Sequence, residues 1–130
     1  MASPSSASSL LLCVAGAIHT LPLVGVLGAK RLSVLYGIVV AEPNLEVLLR
    51  HRAVNLGLVG AVLFAGAASS RYLPLALAVG AVSAGSYILL AAVKGKAGIN
   101  GSLRRVLTAD IVALAAIGGA ALAEGYLRLL

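Results

Sequence analysis

Four long apolar runs, separated by short polar stretches, dominate the pattern of this sequence. They lie in predicted helices at about residues 10–29, 43–68, 72–93 and 103–123, and the uninterrupted apolar part of the second helix is only the sixteen residues 53–68. A helix of about twenty apolar residues is long enough to cross the ~30 Å hydrocarbon core of a bilayer. The pattern therefore predicts an all-α membrane protein, a four-transmembrane-helix bundle that forms one membrane domain over residues 1–130.

The stretch between the first two runs, residues 30–42, is apolar in its middle but too short to cross a membrane. It begins with Lys30 and Arg31 and contains Tyr36, which suits the headgroup region. We expect a short interfacial segment here, folded as an amphipathic turn or a short helix.

Two prolines mark local features of the helices. Pro22 lies inside the first run, where a missing N–H predicts a kink. Pro43 is a favourable first residue for the second helix. Within that helix, Glu46 and Arg50 are four residues apart, so we expect them to form an ion pair.

Charge is scarce and unevenly placed. The chain is 61% hydrophobic and 11% charged, which argues against a soluble domain. Eight of the ten lysines and arginines lie in the first and third connections or in the first ten residues of the helices that follow them: Lys30, Arg31, Arg50, Arg52, Lys94, Lys96, Arg104 and Arg105. Because basic loops stay inside, we expect these connections in the cytoplasm, or the matrix or stroma of an organelle, with both termini outside.

This distribution also bears on partners and location. Basic residues that sit in short loops between apolar runs indicate topology, so we expect the lipid bilayer and not nucleic acid as the partner. The membrane is expected to be a bacterial inner membrane or the mitochondrial inner membrane.

Asp110 is the most informative polar residue of the apolar runs. An ionised aspartate inside a bilayer costs several kcal/mol unless it is paired or wetted. The second and fourth helices run in parallel, which brings Arg52 and His51 to about the depth of Asp110. We therefore predict an ion pair between Asp110 and Arg52, with His51 or Arg50 as the second choice. Such a pair either fixes helix register or belongs to a proton or ion pathway.

His19 falls in the middle of the first helix. A neutral histidine there either hydrogen-bonds to another helix or ligates haem or chlorophyll through a ring nitrogen. Bis-histidine haem ligation needs a second intramembrane histidine, whereas His51 belongs at the membrane edge. The hydrogen bond is thus the favoured interpretation, with no cofactor and no metal expected, and the lone Cys13 is expected to act as a small packed hydrophobe.

Small residues recur at helical spacing in every run, which predicts close helix packing. The stripes are Gly25-x-x-Gly28, Gly57 with Ala61 and Ala65, Ala76-Gly80-Ala84, and Ala115-Gly119-Ala123. Such Gly/Ala faces also suit self-association or contact with other membrane subunits.

Several short motifs resemble a group of small bacterial-type four-helix integral membrane proteins. The motifs are Ile18-His19-x-Leu21-Pro22-x-x-Gly25-x-x-Gly28, Leu35-Tyr36-Gly37, Pro43-Asn44-Leu45-Glu46, Arg50-His51-Arg52-Ala53 and Leu103-Arg104-Arg105-Val106-x-x-Ala109-Asp110. The resemblance covers roughly residues 10–125 and implies the same membrane fold, but no established activity. Some members carry a phosphopantetheine adenylyltransferase label, which this sequence does not support, since that enzyme is soluble and its phosphate-binding histidine motif is missing here. The Ser-rich start departs from the pattern and suggests a eukaryotic, organelle-targeted relative.

The sequence favours a non-catalytic role. It contains no P-loop, dinucleotide-binding, HExxH or GxSxG motif, so we do not expect an enzyme. The favoured hypothesis is an accessory or structural subunit of a larger membrane complex, of respiratory or photosynthetic type. One alternative is a small transporter or proton/ion pathway centred on Asp110 and Arg52. The other is a haem- or chlorophyll-binding protein that uses His19.

Overall fold

The computed structural model describes residues 3–125, and at Lys96 the backbone alone. The helices are α1 (Ser6–Thr20), continued by a 3₁₀ helix (Leu21–Leu27), α2 (Ala29–Tyr36), α3 (Pro43–Ala68), α4 (Leu73–Lys94), a short 3₁₀ helix (Lys96–Gly98) and α5 (Gly101–Ala123). Four helical stretches are long and apolar enough to cross a membrane: Ser6–Leu27, Pro43–Ala68, Leu73–Lys94 and Gly101–Ala123. The predicted all-α four-helix bundle is confirmed.

The four spans are arranged as a ring. α1 packs between α3 and α5, and α4 packs between the same two helices. α3 and α5 therefore lie diagonally across the bundle. The shared core is apolar and fully or almost fully buried, with Leu12, Leu63 and Ile117 packed among alanines. Cys13, expected to be packed inside, is instead exposed, because it follows Leu12 by one residue and faces away from the core.

Side-chain hydrogen bonds tie each end of the bundle together. At one end, the Ser5 N–H donates to a Glu124 carboxylate oxygen at 2.6 Å, and the Ser9 hydroxyl donates to the Ala67 carbonyl at 2.8 Å. At the other end, the Asn100 amide donates to the carbonyl of Tyr36 at 2.9 Å. The first and third connections, residues 28–42 and 95–100, therefore meet at one end, which we call the basic end.

The first span changes helix type close to its proline. The α-helix ends at Thr20, and a tighter 3₁₀ helix with Pro22 near its start continues to Leu27. Proline lacks an N–H and its ring clashes with the preceding turn of an α-helix, so the regular α-helix stops just before it. The second half of the span is thereby redirected toward α2 and α3.

The segment after the first span forms a short helix, α2, stopped by Gly37. This glycine has a φ of 64°, a left-handed conformation that glycine adopts without a steric penalty. Leu32, Tyr36 and Val40 form a second, smaller core there, packed against residues of α3 and α5 that include Leu103. α2 thus forms one wall of the bundle at the basic end.

The predicted small-residue stripes are correct for α4 and shifted for two other helices. Ala76, Gly80 and Ala84 of α4 are all buried. In α3 the buried glycines are Gly60 and Gly66, and in α5 the buried alanines are Ala113, Ala116 and Ala120, whereas Ala61, Ala115 and Ala123 are exposed. Small residues recur on several faces of these helices, so spacing alone does not identify the face that turns inward.

Candidate functional site

A polar cavity of about 330 Å³ opens between the end of the first span, α2, α3 and α5. Its polar lining consists of His19, Arg52, Ser102, Arg105 and Asp110, and the rest of the wall is apolar. This volume lies at the lower end of the range for small-molecule sites. The cavity is therefore large enough for water and small solutes.

The direction of the helices explains why these side chains converge. Arg52 is the tenth residue of α3 and Asp110 the tenth residue of α5, and both helices start from the basic end. Each side chain therefore lies roughly 14 Å along its helix, at 1.5 Å per residue. His19 reaches the same level from the first span, which runs in the opposite direction.

Two tyrosines hold Arg52 in place. Its guanidinium donates a hydrogen bond to the Tyr36 hydroxyl and lies 5.1 Å from the centre of the Tyr36 ring and 5.7 Å from that of Tyr87. Tyr87 in turn donates to the Leu103 carbonyl at 3.2 Å. Burial raises the pKa of the Tyr36 hydroxyl, although the nearby Arg52 charge opposes that shift. The phenol therefore stays neutral at physiological pH and stabilises the cation as an acceptor and through its ring.

The predicted ion pair between Asp110 and Arg52 is not formed. Among the described residues, only Arg50 and Glu46 have side-chain nitrogen and oxygen atoms of opposite charge within 4.0 Å, at 3.5 Å. α3 and α5 lie diagonally, so the tyrosines of α2 and α4 reach the guanidinium in place of the carboxylate. Asp110 lies within electrostatic range of His19 and Arg52 but makes no hydrogen bond to a described residue.

The second-choice partners of Asp110 lie away from the cavity. Arg50 and His51 are exposed on α3, and the cavity wall includes neither of them. Arg50 instead forms the predicted pair with Glu46, one helical turn earlier. The rotation of about 100° per residue along α3 turns Arg52 inward while His51 faces outward.

His19 presents one free ring nitrogen to the interior. The residue is 2% exposed, and its Nδ1 lies 2.9 Å from the carbonyl oxygen of Ala15, one turn back in α1. A carbonyl only accepts, so Nδ1 carries the hydrogen and the neutral ring keeps its lone pair on Nε2. Nε2 is buried with no hydrogen-bond partner among residues 3–125. The expected bond to another helix is thus replaced by a bond within α1, which leaves Nε2 available to a proton or a ligand.

Haem or chlorophyll ligation by His19 stays a prediction. A histidine whose Nδ1–H binds a carbonyl is oriented as an axial ligand would be. However, the described wall of the cavity contains no second histidine, methionine or cysteine. Within residues 3–125, no group of three or more His, Cys, Asp or Glu side chains is placed to hold a metal ion.

Sequence reasoning missed the contribution of Tyr36, Tyr87 and Ser102 to this site. Tyr36 was expected at headgroup level, and Tyr87 carries no motif. The two tyrosines could have been singled out because aromatic residues are scarce: the chain has four tyrosines and one phenylalanine. Arg105 also lines the cavity and donates to the Ser102 hydroxyl at 3.0 Å.

Comparisons of the chain with protein-family models, with curated proteins and with solved structures give no match.

Proposed function

We propose that this chain is a multi-pass membrane protein that moves protons, alone or with a small polar solute, through the cavity lined by His19, Asp110 and Arg52. One observation carries the proposal: the Nε2 atom of His19 is buried beside that cavity and has no hydrogen-bond partner in the described part of the chain. Buried polar atoms are nearly always paired, so an unpaired one calls for a functional explanation.

The chemistry of the three side chains suits proton exchange. Imidazole and carboxylate both change charge by taking up one proton, whereas the guanidinium stays positive at any physiological pH. His19 and Asp110 lie within electrostatic range of each other and line the same cavity. Ionisable residues inside membrane spans commonly mark proton relays and solute pathways.

The apolar core closes the other half of the bundle. Leu12, Leu63 and Ile117 are almost completely buried between the cavity and the end of the bundle opposite the basic end, where Ser5 meets Glu124. A solute at His19 therefore meets packed side chains in that direction. The proposal accordingly includes a change in helix packing that opens this core, so that the cavity is accessible from one side at a time.

Proton flux into liposomes tests the proposal. The purified protein is reconstituted around a trapped pH-sensitive dye, and a potassium diffusion potential drives protons inward. We expect flux above that of protein-free liposomes, and at least a tenfold loss in Asp110→Asn and His19→Gln, which remove one titrating group each. His51→Gln is the matched control, because His51 is exposed outside the cavity.

Two results would contradict the proposal. One is flux no higher than in protein-free liposomes, and the other is flux that Asp110→Asn leaves unchanged. Size-exclusion profiles and far-ultraviolet circular dichroism establish that each variant is folded. Asp110→Asn keeps the shape of the side chain, so it preserves packing better than a change at the buried His19.

An accessory role in a larger membrane complex is the second candidate function. Its support is the exposure of Ala61, Ala115 and Ala123, small residues that turn away from the bundle. Such faces allow helices of another subunit to approach closely. Purification in mild detergent tests this role: co-purifying chains combined with no proton flux would favour it, and a visible absorption band would favour haem or chlorophyll at His19.

We further propose that the basic end faces the cytoplasm or the organelle interior, in a bacterial inner or mitochondrial inner membrane. The positive-inside rule supports this orientation. Membership of the small bacterial-type four-helix group is likewise a proposal, supported by the short motifs around His19, Arg52 and Asp110.

A further inference from the structure

A second cleft, of about 340 Å³, lies on the outer surface of the bundle, where the 3₁₀ end of the first span meets α2. It is lined by Lys30 and Arg31 on one side and by Val24, Val34 and Leu35 on the other. Basic and apolar groups thus share one small surface at the basic end. We call it the α2 cleft.

The cations of the α2 cleft have no partner within the part of the chain that the structure describes. Arg31 is the one described arginine whose side chain makes no such contact. The others bind Glu46 (Arg50), Tyr36 (Arg52), the Tyr72 ring (Arg71), the Ile99 carbonyl (Arg104) and the Ser102 hydroxyl (Arg105). Lys30 is exposed and its ammonium is equally unpaired among residues 3–125. Two adjacent positive charges are therefore free to bind an anion.

The apolar half of the cleft is open to the surroundings. Val34 is 74% exposed and Val24 is 39% exposed. Val24 lies within the first candidate membrane span, and Val34 lies on the helix that follows it, so in a bilayer we expect both to meet lipid chains. Guanidinium and ammonium groups pair well with phosphate oxygens, and basic pockets at the ends of spans bind anionic headgroups.

We propose that the α2 cleft binds one anionic phospholipid, with its phosphate between Lys30 and Arg31 and an acyl chain along Val24 and Val34. A free phosphate ion would contact the cations but leave the apolar half uncovered. A neutral phospholipid lacks the net charge that two unpaired cations select. This proposal does not depend on proton movement.

The lipid would also touch a wall of the polar cavity. Val34 and Leu35 line both the α2 cleft and the polar cavity that contains His19. A lipid bound in the α2 cleft therefore contacts α2, which separates this cleft from the polar cavity. We expect it to stabilise α2 in its present position.

Lipid binding to the detergent-purified full chain tests the proposal. Native mass spectrometry measures the retention of phosphatidylglycerol, phosphatidylcholine and glycerol phosphate, and thermal unfolding measures stabilisation by each. We expect retention of phosphatidylglycerol alone, and an affinity loss of about fivefold for each charge removed in Lys30→Gln and Arg31→Gln. Lys94→Gln is the matched control, since Lys94 is an exposed cation at the same end, outside the cleft.

Three outcomes would overturn the proposal. Equal retention of phosphatidylcholine would remove the role of charge, and equal stabilisation by glycerol phosphate would indicate a soluble-anion site. An equal loss in Lys94→Gln would indicate diffuse surface charge. Val24→Gln keeps both cations and removes apolar contact, so it should weaken phosphatidylglycerol binding but not any binding of glycerol phosphate.

Discussion

The behaviour of His19 depends on one backbone carbonyl. Its ring is fixed by the Ala15 oxygen, so the tautomer and the direction of Nε2 follow from a contact within α1. Arg52 shows the same kind of control, since Tyr36 and Tyr87 hold its charge near Asp110 without a direct ion pair. Single contacts, one within a helix and one between helices, therefore decide the chemistry of the cavity.

Gly66 offers a test of packing at the scale of one residue. A Cβ atom at this position would collide with the Cβ of Ala76, which cannot rotate away, so α3 and α4 would have to separate. We expect Gly66→Ala to lower the free energy of unfolding by about 1–3 kcal/mol, as overpacked sites do. Unfolding by sodium dodecyl sulfate, followed by circular dichroism, measures the change.

Gly85 is the matched control for Gly66. It lies within α4, and a Cβ atom added there would have no non-local atom of the described residues within 4 Å, so Gly85→Ala should leave stability unchanged or slightly higher. An equal loss in both variants would mean that the close contact at Gly66 is not what limits the approach of the helices.

At the scale of elements, Asn100 joins two parts of the chain that are distant in sequence. Its side-chain oxygen accepts from the Leu103 N–H at 2.8 Å and caps α5, while its amide donates to the carbonyls of Tyr36 and Gly37. One residue thus ends the third connection and holds the end of α2. This link keeps α2 against the polar cavity.

Two substitutions separate these roles of Asn100. Asp caps helices as well as Asn does but has no amide to donate, so Asn100→Asp should lose only the link to α2, about 1–2 kcal/mol of stability. Asn100→Ala should lose the cap as well. Thermal unfolding in detergent measures both, and an Asn100→Asp variant as stable as the wild type would show that the link contributes nothing.

At the scale of the whole molecule, a charged contact of Glu124 joins residues near the two ends of the described part of the chain. The Ser5 N–H lies 2.6 Å from Oε1 of Glu124, and this hydrogen bond lowers the pKa of Glu124 below its usual value of 4.5. Because the folded-state pKa is lowered, the contact stabilises the fold fully above pH 4.5. The stabilisation is lost as the pH falls through the folded-state pKa.

Glu124→Gln should therefore make the bundle less sensitive to acid. We expect the melting temperature of the wild type to fall between about pH 6 and about pH 3, and that of Glu124→Gln to fall less, when both are measured in the same detergent. Glu42→Gln is the comparison, since hydrogen bonds from the Asn44 and Leu45 N–H groups lower the pKa of Glu42 within the first turn of α3. Identical pH profiles for Glu124→Gln and the wild type would contradict a role for the contact between the termini.

The helices and the depth of the polar side chains follow from the sequence alone. Length and apolar composition are local properties, so four spans followed directly from the runs, and the ion pair between Glu46 and Arg50 followed from helical spacing. Equal distances from the helix starts placed Arg52 and Asp110 at one level.

Tertiary structure alone decided which groups meet. The diagonal placement of α3 and α5 keeps Asp110 from pairing directly with Arg52 and brings Tyr36 and Tyr87 to the guanidinium. Spacing along one helix fixes depth and face relative to that helix, but not the rotation of the helix against its neighbours. That rotation depends on packing around the ring, which therefore decided that His19 and Asp110 line the same cavity.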